Sequence, residues 1–314
     1  MEGTIGTAVR RKRGFDLAVV GGGVAGLTAA WSAARHGLST VLFEGAGVFG
    51  GQIGTLGKLE DYPSADSISG VDLATALVDA ARESGATIVE QEAFSLTRNG
   101  QLLEVQLSSG PIRARNVVVA TGARLRKLTV PGALEFEGRG VSQCATCDGP
   151  FFRGRDVLVV GGGDAALQEA LTLASSCKSV SVVVRSSLKA RQALIDAAAA
   201  CSNLRFIWDC EVEAVLGQDG VNAVRLRHTK TGAATDLPCF GLFPFIGTEP
   251  NTEFLAGLVA FNQTRHITTD AQLQSSEPGI YAIGAVRDGH SGALVSAAGD
   301  APRVVREIAR QLRP

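Results

Sequence analysis

GGGVAGLTAA at residues 21–30 recurs as GGGDAALQEA at residues 161–170, about 140 residues further along a chain of 314. That spacing is too long for a solenoid repeat and suits a duplicated domain. Each copy follows a short β-branched run, FDLAVV at 15–20 or DVLVV at 156–160, and opens an alanine- and leucine-rich segment of helical period. Each therefore reads as strand, tight turn, helix. Glycine permits the turn, lets backbone N–H groups approach a pyrophosphate, and allows the helix to pack on the strand with its positive end at the phosphates. Gly21, Gly23 and Gly26 in the first copy, and Gly161 and Gly163 with Asp164, Ala165 and Ala166 in the second, are the candidate nucleotide-binding residues. One such turn is a weak signal, since glycine also serves tight packing; two with the same flanks are a strong one.

The likeness extends past the turns. After the first copy a strand over 38–43 ends at Glu44, 23 residues beyond Gly21, where a carboxylate can accept hydrogen bonds from both ribose hydroxyls of an adenosine. After the second, the strand 179–184 runs into Arg185, 24 residues beyond Gly161, where a guanidinium pairs with a 2′-phosphate and points to NADPH. Each half then alternates with period two around a turn, at 108–110 and at 230–232, before another apolar strand. The strands ending at Ala120-Thr121-Gly122 and at Ile246-Gly247 occupy matching places. The expected fold is α/β, two Rossmann-like domains of three-layer ββα type, the second inserted into the first. Residues 1–124 and 247–314 form the outer domain and 125–246 the inserted one.

Composition narrows the function. With 45% apolar and 19% charged residues and a formal net charge of −1, nothing electrostatic calls for a nucleic-acid or membrane partner. No run of 18 apolar residues reads as a membrane span, and the basic run Arg10, Arg11, Lys12, Arg13 reads as a solvated terminal segment. Cys177, Cys201, Cys210 and Cys239 stand alone beside apolar segments, as small buried hydrophobes do. With no secretory leader evident, the expected setting is reducing and cytoplasmic, where the remaining pair, Cys144 and Cys147, is more often catalytic or metal-binding than structural. A zinc site needs four ligands, and no second CxxC or spaced histidine pair follows, so no metal is expected. His36, His228 and His266 read as surface residues, and His290 as an exposed loop histidine.

The turn at Gly21–Gly26, Gly50-Gly51-Gln52, Leu59-Glu60-Asp61-Tyr62-Pro63, Ala120-Thr121-Gly122-Ala123, Gly138-Arg139-Gly140-Val141-Ser142, Cys144-Ala145-Thr146-Cys147-Asp148-Gly149, the second glycine turn, and Gly241-Leu242-Phe243 with Pro250-Asn251-Thr252 together resemble the low-molecular-weight thioredoxin reductases. The likeness covers nearly the whole chain. It implies FAD in the outer domain, NADPH in the inserted one, a redox disulfide between Cys144 and Cys147, thioredoxin or a thioredoxin-like protein as partner, and a homodimer. It further implies that Gly51, Gln52, Thr121, Gly122, Gly284, Ala285 and Ala293 lie at the flavin, and that Lys189 and Arg191 join Arg185 at the 2′-phosphate. By the same likeness Cys147 exchanges electrons with the flavin, Cys144 attacks the partner disulfide, and Asp148 moves protons. One domain rotates against the other about connectors near Arg124 and Gly247.

Three positions depart from the family pattern. The last flavin segment carries an aspartate after its glycine, bonded to the ribityl chain; here Gly284 is followed by Ala285. Losing a hydrogen bond to a charged group costs about 1.5–3 kcal/mol, which leaves most of a nanomolar cofactor's affinity of about −12 kcal/mol. The Arg-Gln pair that begins the last helix is here Gly292-Ala293, and the His-Arg-Arg phosphate motif reads Val184-Arg185-Ser186. NADH, or another donor such as ferredoxin, therefore stays open beside NADPH. Two further readings stay open beside a thioredoxin reductase: a flavin-dependent dithiol oxidase, and a flavin-binding redox sensor without turnover.

Overall fold

The computed structural model describes residues 14–56, 59, 62 and 68–312. The basic run at 10–13, Glu60, Asp61 and Pro63 of the LEDYP segment, and the last two residues lie outside these. The chain divides into two compact units, Met1–Arg124 with Glu249–Pro314, and Leu125–Thr248.

The outer unit begins with β1 (Phe15–Val20), α1 (Val24–Arg35), β2 (Thr40–Phe43), α2 (Gly70–Glu83) and β3 (Thr87–Val89). A meander follows: β4 (Ser95–Asn99), β5 (Leu102–Leu107) and the long β6 (Gly110–Val119), then β7 (Ala123–Leu125) at the crossing. β1 pairs in parallel with β2 and with β6. Its side chains divide between two cores, as the two-residue strand period requires. Leu17 and Val19 meet α1 and α2 residues such as Leu27, Ala30 and Val78, while Ala18 and Val20 join the meander's Leu103 and Val105.

The inserted unit carries α3 (Ala145–Asp148), β8 (Asp156–Val160), α4 (Asp164–Ala174), β9 (Ser179–Val184), α5 (Gln192–Ala200) and β10 (Leu204–Trp208). An antiparallel sheet of β11 (Cys210–Gly217), β12 (Val221–His228) and β13 (Ala234–Pro238) precedes β14 (Gly241–Pro244). The parallel sheet runs β10-β9-β8-β14. Val157 and Val159 of β8 pack among residues of α4 and α5; Leu158 and Val160 face the antiparallel layer through Val212, Val224 and Leu226.

The chain returns through β15 (Thr248–Pro250), paired with β7, to β16 (Ile280–Ala282) and α6 (Leu294–Leu312). β6 organises the outer sheet, β3-β2-β1-β6-β5-β4 with β16 beside β6. Its first half pairs antiparallel with β5, Ala114 opposite Leu103, and its second half takes β16 in parallel, Val117 opposite Ile280. The return crossing falls after Thr248, not at the expected 246/247 boundary. Arg126 explains the shift: its N–H donates to the Gly247 carbonyl at 2.9 Å and its guanidinium to that of Thr248 at 3.5 Å, which ties both residues to the inserted unit.

At the first turn α1 lies so close to β1 that a Cβ on Gly26 would stand 1.9 Å from the Gly21 carbonyl oxygen. A Cβ on Gly23 would meet nothing nearer than 3.9 Å, and its φ of −75° suits any residue. Gly26→Ala is therefore expected to cost about 1–3 kcal/mol, a fall of roughly 2–12 °C in melting temperature, whereas Gly23→Ala leaves it unchanged; thermal unfolding by circular dichroism reads both.

Candidate active site

The two helix starts behind the glycine turns are built alike. Gly23 precedes α1 and Gly163 precedes α4, and neither helix has a side-chain cap among the described residues, so their first N–H groups lack that usual partner. Beyond its own chain neighbours, no atom of the described residues lies within 4 Å of where a Gly163 Cβ would stand, so packing does not demand glycine there, as it does not at Gly23. Open space over uncapped N–H donors suits a phosphate. In this respect the residues fit the dinucleotides expected from the sequence.

Around the first turn, Glu44 is fixed by two backbone donors, Gly22 N–H to Oε2 and Ala46 N–H to Oε1, both at 2.7 Å. Its remaining lone pairs are still acceptors. Gly50 N–H donates to the Gly22 carbonyl at 2.9 Å, and a Cβ on Gly51 would lie 3.5 Å from Gly23 Cα, so this loop rests on the turn. The Gln52 side-chain amide donates to the Ala123 carbonyl. The Thr121 hydroxyl is engaged by the chain itself, donating to the Asn251 carbonyl at 2.6 Å, and Gly122 turns the backbone with φ of +65°.

The last segment is more altered than the sequence suggests. Gly284 (φ +70°) donates its N–H to Asp300 Oδ2 at 3.0 Å, and Arg287 grips the same carboxylate at 2.8 and 2.9 Å. The pair is nearly dry, with side chains 13% and 8% exposed. A carboxylate thus stands beneath this turn, but it comes from α6 and not from position 285. The Gly292 and Ala293 N–H groups are used locally, donating to His290 Nδ1 at 3.0 Å and Ser291 Oγ at 3.3 Å. His290 is half-buried, contrary to the exposed loop residue expected. Its Nε2 is closed off without a hydrogen-bond partner among the described residues, and burial pushes its pKa down.

At the second turn, Lys189 N–H donates to the Gly162 carbonyl at 2.7 Å, folding the loop after β9 back onto the glycines. Arg191 gives both its backbone N–H and its Nε to the Asp164 carboxylate, each at 2.7 Å. Arg185 and Lys189 are exposed and make no ion pair among the described residues. Ala165 is exposed, but Ala166 is 1% exposed and packs under the turn, so it shapes the loop from below.

Cys144 and Cys147 form a disulfide across the short α3, with Cα atoms 5.3 Å apart. Cys144 is partly buried and Cys147 exposed, and with Asp148, Lys127, Leu134 and Gln143 they border a cavity of about 410 Å³ within the inserted unit. Cys144 N–H donates to Ser142 Oγ and Cys147 N–H to Cys144 Sγ, both at 3.1 Å. Ala145 N–H donates to Glu169 Oε2 on α4 at 2.9 Å. Cys177, Cys210 and Cys239 are poor nucleophiles by contrast: burial pushes Cys239 up to about 12 and raises Cys177 and Cys210. No group of three metal-ligating side chains occurs among the described residues.

The sequence profile of the family described as pyridine nucleotide-disulphide oxidoreductase matches residues 15–301. The chain belongs to this family. Within it, the thioredoxin reductase of Treponema pallidum is 38% identical, covering 87% of this chain and 89% of its own length; that of Listeria innocua is 37% identical over 91% and 90%. Among solved structures, the thioredoxin reductase of Lactococcus lactis superposes with a TM-score of 0.91 at 32% identity, over 95% of this chain and all of that one. The one from T. acidophilum gives 0.88 at 29% identity, over 96% and 99%. The resemblance read from the sequence holds, and with it a flavin- and NADPH-using oxidoreductase of two Rossmann-like domains.

Glu169 and Asp300 are the polar residues that sequence reasoning missed. Glu169 falls inside a helix whose polar positions look like a solvent face, and Asp300 falls likewise in α6. Only the fold brings them to Ala145 and Gly284. Asp300→Ala would leave the Arg287 guanidinium buried without its carboxylate, and a loss of about 3–5 kcal/mol is expected from urea unfolding.

Proposed function

We propose that this protein is an NADPH-dependent flavoprotein disulfide reductase that delivers electrons to thioredoxin or a thioredoxin-like protein. The observation that carries this reading is the disulfide of Cys144 and Cys147, open to a cavity on the same unit as the second glycine turn. Bound FAD would carry two electrons from the nicotinamide to that disulfide. The chain's own residues do the rest. The N–H groups behind Gly23 and Gly163 face the pyrophosphates, with Gly21, Gly26 and Gly161 shaping the turns. Glu44 accepts from the ribose of FAD, and Arg185 with Lys189 holds the 2′-phosphate of NADPH. Arg191, already paired with Asp164, closes the loop beside them.

With the pair reduced, the Cys144 thiolate attacks the partner's disulfide and expels one partner thiolate, forming a mixed disulfide. Cys147 then attacks Cys144 Sγ, restoring the Cys144–Cys147 bond and releasing the second partner thiolate. Asp148, bordering the same cavity, exchanges the protons taken up by the leaving thiolates. The four free cysteines elsewhere in the chain support a reducing, cytoplasmic setting, and the family's habit supports a homodimer. No helix among the described residues is long and apolar enough to cross a membrane.

NADPH oxidation coupled to thioredoxin reduction tests this directly. Cys147→Ser is expected to abolish it, because the mixed disulfide has no resolving thiol. Arg185→Ala is expected to raise KM for NADPH roughly 10- to 150-fold while leaving that for NADH unchanged. Equal losses with both nucleotides would remove Arg185 from the 2′-phosphate site.

A further inference from the structure

The cysteine turn is held by a residue that plays no part in the electron path just described. Helix α3 has four residues, too few to sustain itself, and its conformation depends on tethers. Two are local: Ser142 Oγ on the Cys144 N–H, and Cys144 Sγ on the Cys147 N–H. The third reaches 24 positions along the chain, Glu169 Oε2 on the Ala145 N–H at 2.9 Å. Ala145 itself is 2% exposed, wedged among Leu167, Ala170 and Leu173 of α4, so the backbone beside Cys144 is seated on the nucleotide-binding helix.

The placement has a chemical consequence. The N–H that Glu169 takes is bonded to the carbonyl carbon of Cys144, so the carboxyl lies next to the residue whose thiolate attacks the partner. Unpaired N–H groups at such a turn lower a cysteine's proton affinity, and a nearby carboxylate raises it. Glu169 does both in the same direction: it occupies the donor and brings negative charge. We propose that Glu169 is a positioning residue for the redox pair, seating α3 on α4 and restraining thiolate formation at Cys144.

Few other titratable groups stand near. Burial pushes the Glu169 carboxyl up while the Ala145 hydrogen bond draws it down, and no charged neighbour contributes. On α3 the titratable group besides the cysteines is Asp148; across the cavity Lys127 is neutralised by Glu137 at 2.7 Å. On α4 Asp164 is neutralised by Arg191, and Cys177 in the adjoining apolar cluster is a thiol that burial keeps protonated.

The test uses the full chain, reduced with dithiothreitol and freed of it, then alkylated by iodoacetamide over a pH series, with Cys144 followed by peptide mass spectrometry. The thiolate displaces iodide, so the rate reports the deprotonated fraction. Glu169→Gln keeps an oxygen for the Ala145 N–H but no charge. It is expected to alkylate Cys144 about 10-fold faster than wild type below neutral pH, converging at high pH, with an unchanged melting temperature. Glu169→Ala is expected to show the faster alkylation and also melt lower. Superimposable pH profiles for wild type and Glu169→Gln would overturn the inference, whether or not Glu169→Ala folds. The inference rests on Cys144 being the attacking thiol, but the measurement uses neither nucleotide nor thioredoxin. A shifted profile without thioredoxin reduction would sustain it and remove the proposed partner.

Discussion

In both glycine turns the backbone comes so close to a carbonyl that no side chain fits. A Cβ on Gly26 would lie 1.9 Å from the Gly21 oxygen, and one on Gly161 would lie 2.2 Å from that of Phe245. The first brings α1 hard against β1, and the second seats the turn after β8 on the residue that follows β14, so that each helix starts at the crevice above the strand ends. Where crowding stops, at Gly23 and Gly163, space opens over uncapped N–H groups. Crowded and open glycines thus occur together within each turn. The redox cysteines inherit this geometry, because the helix that starts at the second turn also carries Glu169, which fixes Ala145.

Charge has been rearranged around this frame. The buried carboxylate under the last turn of the outer unit is supplied by Asp300, held by Arg287 and by the Gly284 N–H. Such a pair is costly to desolvate and is held in place by its hydrogen bonds. At the second turn Arg191 is bound to Asp164, which leaves Arg185 and Lys189 as the cations of that loop that make no ion pair among the described residues. The phosphate motif is therefore thinner in free positive charge than a count of basic residues suggests.

Much of this was legible in the sequence because it is local. FDLAVV and DVLVV are buried parallel strands, and continuous apolar runs announce them. The period-two segments announced both meanders, and the repeated glycines announced the turns. What escaped depends on distance in sequence. Glu169 meets Ala145 and Asp300 meets Gly284 only after helices fold back on turns, and each looks like an ordinary exposed acid on a helix. His290 was misread for the same reason, since its burial comes from packing and not from its polar neighbours. The return crossing moved to Thr248 because Arg126 bonds to two carbonyls that no local pattern marks.

The central claim is that two nucleotide-binding turns on one chain feed electrons to the pair at 144 and 147. An anaerobic absorbance titration tests it most directly: the protein purified with added FAD, its flavin band followed as NADPH is added. The account predicts a yellow protein whose band bleaches and returns when a disulfide substrate is supplied. A protein that stays colourless in excess FAD, or a flavin band unmoved by millimolar NADPH, would contradict it.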